Sequence, residues 1–108
     1  LFFHHSCGSV YKLMDTIIDM GVDILNPIQP GTKDMEPEKL KAEYGDKIVF
    51  WGGIDEQNLL SKATKEQVKE EVRRVSGILS HNGGYVLAAS HNVQPDVPVE
   101  NVDAMLKA

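Results

Sequence analysis

His5 and Cys7, two residues apart at the end of a short apolar run, are the side chains of this sequence best suited to holding a metal ion. Imidazole nitrogen and thiolate sulfur are common donors to zinc, and residues i and i+2 of an extended segment point to one side, so both can face one ion. Two donors do not complete a site, and a buried thiol beside a hydrogen-bonded histidine is the plain alternative for the pair taken alone. His91 supplies a third donor if folding brings its segment to the same rim. Three protein ligands with one open position is the arrangement of catalytic zinc, whereas structural zinc takes four.

The other residues with chemistry to offer lie in three short stretches. Asn26 and Gln29 flank Pro27, Trp51 is followed by Gly52, Gly53 and Asp55, and Asn92 directly follows His91. Asn26, Gln29, Trp51 and Asn92 are the candidates for contacting substrate, with His91 and Asp55 the candidates for catalysis. Several have structural alternatives. Asp55 suits the cap of a short helical segment over 55–60, Asn26 and Gln29 suit a turn, and the two glycines suit either a bulge or the close approach of a ligand to the backbone.

The elements that must position these residues alternate between apolar segments and helices. Residues 1–4, 22–25, 47–51 and 85–89 are rich in apolar or β-branched side chains and lack clean alternation, which predicts strands of a parallel sheet covered on both faces. Val10, Leu13, Met14, Ile17 and Ile18 follow the spacing of an amphipathic helix over 10–20, stopped by Gly21. Pro37 suits the first turn of a second helix, with Leu40 inward and Gly45 at its end. Thr64 and Gln67 have capping-box spacing at the start of a third, which turns Val68, Val72, Val75 and Leu79 to the core. Pro98 and Glu100 open a fourth, buried through Val102, Met105 and Leu106.

The strand spacing brackets the roughly 31 residues per unit of an eight-unit barrel. The expected fold is therefore α/β, half of a TIM (β/α)8 barrel made of four parallel βα units. The turns after the strands then lie side by side and collect the polar residues on one rim. A half barrel has two open edges and an uncovered inner face, so the chain is expected either to be the C-terminal part of a longer protein or to close by self-association.

Composition narrows the function classes. A single cysteine excludes an internal disulfide and leaves Cys7 for metal or redox chemistry. The formal net charge is −5, and acidic and basic residues are interleaved, so no cationic surface offers itself to nucleic acid or an anionic membrane. No segment approaches the roughly 18 apolar residues of a membrane span, and the start lacks the pattern of a signal peptide, so a cytoplasmic location is expected.

Four motifs carry a resemblance: HSCG at residues 5–8, GVDILNP at 21–27, GGID at 52–55 and SHNVQPDVP at 90–98. In order and spacing, and over the whole chain, they resemble the uroporphyrinogen decarboxylase superfamily. The resemblance implies that residues 1–108 are the C-terminal portion of a single-domain TIM barrel, and that the parent protein is an enzyme of one of two branches. One branch comprises zinc-dependent methyltransferases that move a methyl group from a corrinoid protein to a thiol, using a His-x-Cys motif and a later Cys as zinc ligands. His5 and Cys7 match the first two, and His91 stands where that branch carries its second Cys. The other branch is uroporphyrinogen decarboxylase of heme biosynthesis, which needs no cofactor, removes acetate carboxyl groups from a tetrapyrrole, and has a His at the place of His91. This sequence combines the His-x-Cys of one with the terminal His of the other.

Methyl transfer implies zinc on His5, Cys7 and His91, a thiol whose polar end is oriented by Asp55 and Gln29, and a corrinoid protein as partner. Decarboxylation implies His91 binding a substrate carboxylate or placing a proton, with Asp55 a further candidate. A self-associating half barrel without activity of its own is the third expectation. No Arg falls among the turn residues, which weighs against a substrate with many carboxylates.

Overall fold

The structure, a computed structural model, describes residues 1–108 apart from Cys7, His91 and Asn92. Four strands, β1 (Phe3–His5), β2 (Ile24–Ile28), β3 (Val49–Ile54) and β4 (Tyr85–Ala89), form one parallel sheet in the order β1-β2-β3-β4. Each strand leads into helical structure. A 3-10 turn (Tyr11–Leu13) runs into α1 (Met14–Asp19), α2 is Pro37–Tyr44, a π-helical turn (Glu56–Leu60) precedes α3 (Lys65–Leu79), and α4 is Val99–Lys107. Four sequential βα units in one parallel sheet are the expected half of a TIM barrel. Among the described residues no helix is long and apolar enough to cross a membrane.

One face of the sheet is packed by the helices. Leu25 and Phe50 are fully buried against a core that includes Met14, Leu40, Val68, Val72, Val75 and Leu79. The other face is open, contrary to the expectation that both would be covered: Phe3 is 46% exposed and Val86 36%. Barrel interiors are as apolar as helix-covered faces, so composition does not distinguish an inner face with a partner from one without.

β2 and β3 each run three residues further than the sequence suggests, to Ile28 and Ile54. Asn26, Pro27, Gly52 and Gly53 look like punctuation but lie inside strands. Leu25 pairs with Phe50 and Ile28 with Gly52, so β2 spends one residue more than β3 over the same stretch, a bulge that contains the cis Asn26–Pro27 bond. Gly52 has φ +119°, and a Cβ there would lie 2.9 Å from the Ile28 nitrogen. The glycine therefore serves the approach of a neighbouring strand, one of its structural alternatives. Tyr85 donates from its hydroxyl to the Gly52 carbonyl at 2.5 Å, and burial pushes that phenol above its ordinary range, keeping it a donor.

Two helices differ in phase from their sequence patterns. The 3-10 turn advances by three residues per turn rather than 3.6, which leaves Leu13 56% exposed while Val10, Met14 and Ile17 stay buried. In α4 the buried residues are Asn101, Ala104 and Met105, and Leu106 is 72% exposed. Asn101 turns inward because its Nδ2 donates to the carbonyls of Leu60 at 2.9 Å and Ala63 at 2.8 Å, closing the end of the π-helical turn. The capping box of α3 forms as expected, with Gln67 N donating to Thr64 Oγ1 at 3.2 Å and Thr64 N to Gln67 Oε1 at 2.9 Å.

Urea unfolding separates these packing roles. Phe50→Ala, which empties a fully buried site, is expected to cost about 3–5 kcal/mol, whereas Leu13→Ala should stay within about 0.5 kcal/mol. Asn101→Ala, which leaves the buried Leu60 carbonyl and the partly buried Ala63 carbonyl without this donor, should cost about 1–3 kcal/mol, and Leu106→Ala should be near neutral.

Candidate functional site

The carboxyl ends of the strands form a common rim, the side of a TIM barrel where ligands bind. His5 is the last residue of β1 and sits opposite Asn26 of β2. Its Nδ1 lies 2.7 Å from Asn26 Oδ1. A carbonyl oxygen only accepts, so Nδ1 carries the hydrogen and the lone pair of the neutral ring is on Nε2. Beyond His5, Ser6 N donates to the Asn26 backbone carbonyl at 2.8 Å, and Gly8 N donates to Gln29 Oε1. β2 and the turn after it thus hold His5, Ser6 and Gly8.

Cys7, the second expected metal ligand, lies outside the described residues, as do His91 and Asn92. His5 alone represents the expected three-ligand set, and among the described residues no three His, Cys, Asp or Glu side chains come together. Asn26 and Gln29, expected to face substrate, spend an acceptor oxygen each on the chain itself.

Asp55 follows β3 and takes the capping role. Its Oδ1 accepts from Gln57 N at 3.0 Å and Asn58 N at 3.2 Å at the start of the π-helical turn. Asp55 also lines a small cavity of about 80 Å³ with Gln29, Thr32, Glu56 and Ser90. Sites for organic ligands usually measure about 300–1,000 Å³, so this one is too small, but Asp55 also lines an open cleft of about 320 Å³ with Gly31, Gly53 and Leu59. Trp51 lies on the open face of the sheet, its ring edge-on to Phe3 at 5.1 Å and 87°.

Ser90, the first residue of the SHNVQPDVP motif, has a role at this rim that the sequence did not assign. It is buried directly after β4, and its one hydroxyl hydrogen is shared between the carbonyls of Ile28 at 2.9 Å and Ile54 at 3.0 Å. Its backbone N–H donates to the same Ile54 carbonyl at 2.8 Å. One side chain therefore joins the ends of β2, β3 and β4, and it fixes the chain one residue before His91. Its place at the end of an apolar run signalled the rim, but nothing local signalled its two carbonyl partners.

The arginines lie away from the strand ends. Both arginines of the chain lie on α3, where Arg74 pairs with Glu38 and with Glu71 at 2.6 Å. A wider groove of about 790 Å³ lies between α2 and α3 at the opposite end of the sheet, lined by Lys41, Asp46, Lys47 and His81 among others. It is open and of mixed charge, at the barrel end associated with stability rather than chemistry.

Comparison with known proteins agrees with the architecture. The family model of uroporphyrinogen decarboxylase (URO-D) matches residues 2–108. Uroporphyrinogen decarboxylase of Serratia proteamaculans (strain 568) is 34% identical over 68 residues, covering 63% of this chain and 19% of that protein. Its counterpart in Rickettsia africae (strain ESF-5) is 25% identical over 105 residues, 97% of this chain and 28% of that protein. A solved structure, a methyltransferase from Methanosarcina mazei, superposes with a TM-score of 0.75 at 24% identity, over 97% of this chain and 29% of that one, a likeness of fold. This chain spans 19% and 28% of the length of those two curated relatives. With the family model matched from residue 2 to the last residue, the chain belongs to the uroporphyrinogen decarboxylase family.

Proposed function

We propose that this chain contributes to zinc-dependent transfer of a methyl group from a corrinoid to a thiol, with His5, Cys7 and His91 as the zinc ligands. The observation that carries this reading is the state of His5: its Nδ1–H is held by Asn26 Oδ1 at the end of β1, which puts the ring's lone pair on Nε2, two residues ahead of a cysteine. Histidines that ligate metals characteristically donate their other ring N–H to a protein oxygen in this way. Two imidazoles and a thiolate are also a donor set that suits zinc. Zinc bound there would supply the charge that keeps a thiol as thiolate at neutral pH.

The chain's own residues divide the remaining work. Asp55, whose Oδ1 accepts from two backbone N–H groups, meets the polar end of a thiol substrate through Oδ2, which Asn58 Nδ2 holds only by a long bond of 3.4 Å. Trp51 and Asn92 are assigned to the walls of the substrate space. A corrinoid protein is the partner this reading requires.

A second reading is cofactor-free decarboxylation of a tetrapyrrole, with His91 at a substrate carboxylate. The names of the Serratia and Rickettsia relatives favour it. Against it stands the placement of both arginines on α3, since recognition of many carboxylates calls for cations at the site.

Metal analysis of the purified protein is expected to give about one zinc per chain, falling below about 0.2 in His5→Ala and Cys7→Ser. A zinc content below that level in the unaltered protein, with activity retained in chelator, would remove the methyl-transfer reading. In a separate assay, incubation with uroporphyrinogen is expected to yield no coproporphyrinogen; its formation in the presence of chelator would establish the second reading instead.

A further inference from the structure

Asn26 and Gln29 are natural candidates for touching substrate, yet both side chains face the 5–8 segment. Asn26 offers Oδ1 to His5 Nδ1 at 2.7 Å and its backbone carbonyl to Ser6 N at 2.8 Å, while Gln29 offers Oε1 to Gly8 N. The three contacts fall on residues 5, 6 and 8, on both sides of Cys7. Two are made by side chains whose acceptor oxygen has an apolar alternative of similar volume, leucine, so the contacts can be removed one at a time.

We infer that Asn26 and Gln29 are positioning residues that set His5 and Gly8 before any metal arrives: Asn26 selects the Nδ1–H tautomer of His5 and Gln29 anchors the Gly8 backbone. In water a neutral imidazole prefers the proton on Nε2, the nitrogen that the metal needs. Asn26 reverses that preference in advance, so binding does not have to begin with a tautomer change. Gln29 acts on position rather than tautomer, because Gly8 is held through its backbone. The effect on metal affinity rests on the methyl-transfer reading; the tautomer does not.

The test begins with the metal-free protein, labelled with nitrogen-15 in histidine and observed at a pH where the ring is neutral. His5 is identified among the four histidines by its loss in His5→Gln. The unaltered protein should show His5 protonated on Nδ1. Asn26→Asp, which keeps an acceptor at the same place, should retain that signature, and Asn26→Leu should shift it to Nε2–H. Zinc titrations should show affinity about 10- to 100-fold lower in Asn26→Leu and recovered in Asn26→Asp. Gln29→Leu should lower zinc affinity while leaving the tautomer unchanged.

An Nε2–H signature for His5 in the unaltered protein would overturn the inference, and this needs no variant that might fail to fold. An unchanged tautomer in a folded Asn26→Leu protein would overturn it too. If the unaltered protein shows Nδ1–H but takes up no zinc, the methyl-transfer reading falls and the role of Asn26 in selecting the tautomer stands.

Discussion

The close approach of β2 to β3 at Ile28 and Gly52 is the constraint on which the rim depends. Any side chain at position 52 would place its Cβ 2.9 Å from the Ile28 nitrogen, against backbone that cannot swing aside. The missing side chain lets β2 carry its extra residue at Asn26–Pro27 and still return to register with β3. That one-residue excess arranges the strand ends. It brings Gln29 within reach of Gly8 and presents the Ile28 carbonyl to Ser90. Without the bulge, side chains beyond it would fall on the opposite faces of the sheet.

The rim is accordingly bonded to itself before any ligand is considered. Ser90 ties three strand ends, β2 holds the turn after β1, and Asp55 closes its own helical turn. This economy separates two jobs that sequence alone merges. Polar residues at strand ends are expected to serve ligands, but here several are spent on fixing the loops of the rim. Such fixing lowers the reorganisation needed when a ligand arrives, which is the physical basis of preorganised sites.

How much of the fold and the rim was legible depends on the kind of signal each element leaves. The parallel sheet, the capping box of α3 and its buried stripe of valines were readable because regular periodicity and local capping are written in neighbouring residues. The ends of β2 and β3 were not, since Asn-Pro and Gly-Gly carry turn propensity that a tertiary bulge overrides. Leu13 and Asn101 show the same limit in helices: a 3-10 start shifts the phase of one, and two distant carbonyls pull the other inward. His5 and Asp55 were recognisable as rim residues by type and place. Their partners were not, because a bond between residues 5 and 26 depends on strand register, which no local pattern records. The partners of Ser90 were hidden for the same reason.

Register also decides what Trp51 can do. Leu25 pairs with Phe50, so Asn26 and Trp51, each one residue further on, lie at about the same height in the sheet, the height of His5. Phe3, on the same face as His5 but two residues earlier, lies one layer lower, and the Trp51 ring stands edge-on to it. The interior of a TIM barrel is filled by such layers, and ligands sit above them. The Trp51 ring therefore stands at the height of His5 on the open face and covers the apolar layer that Phe3 begins, which places an aromatic surface directly beside the polar strand ends.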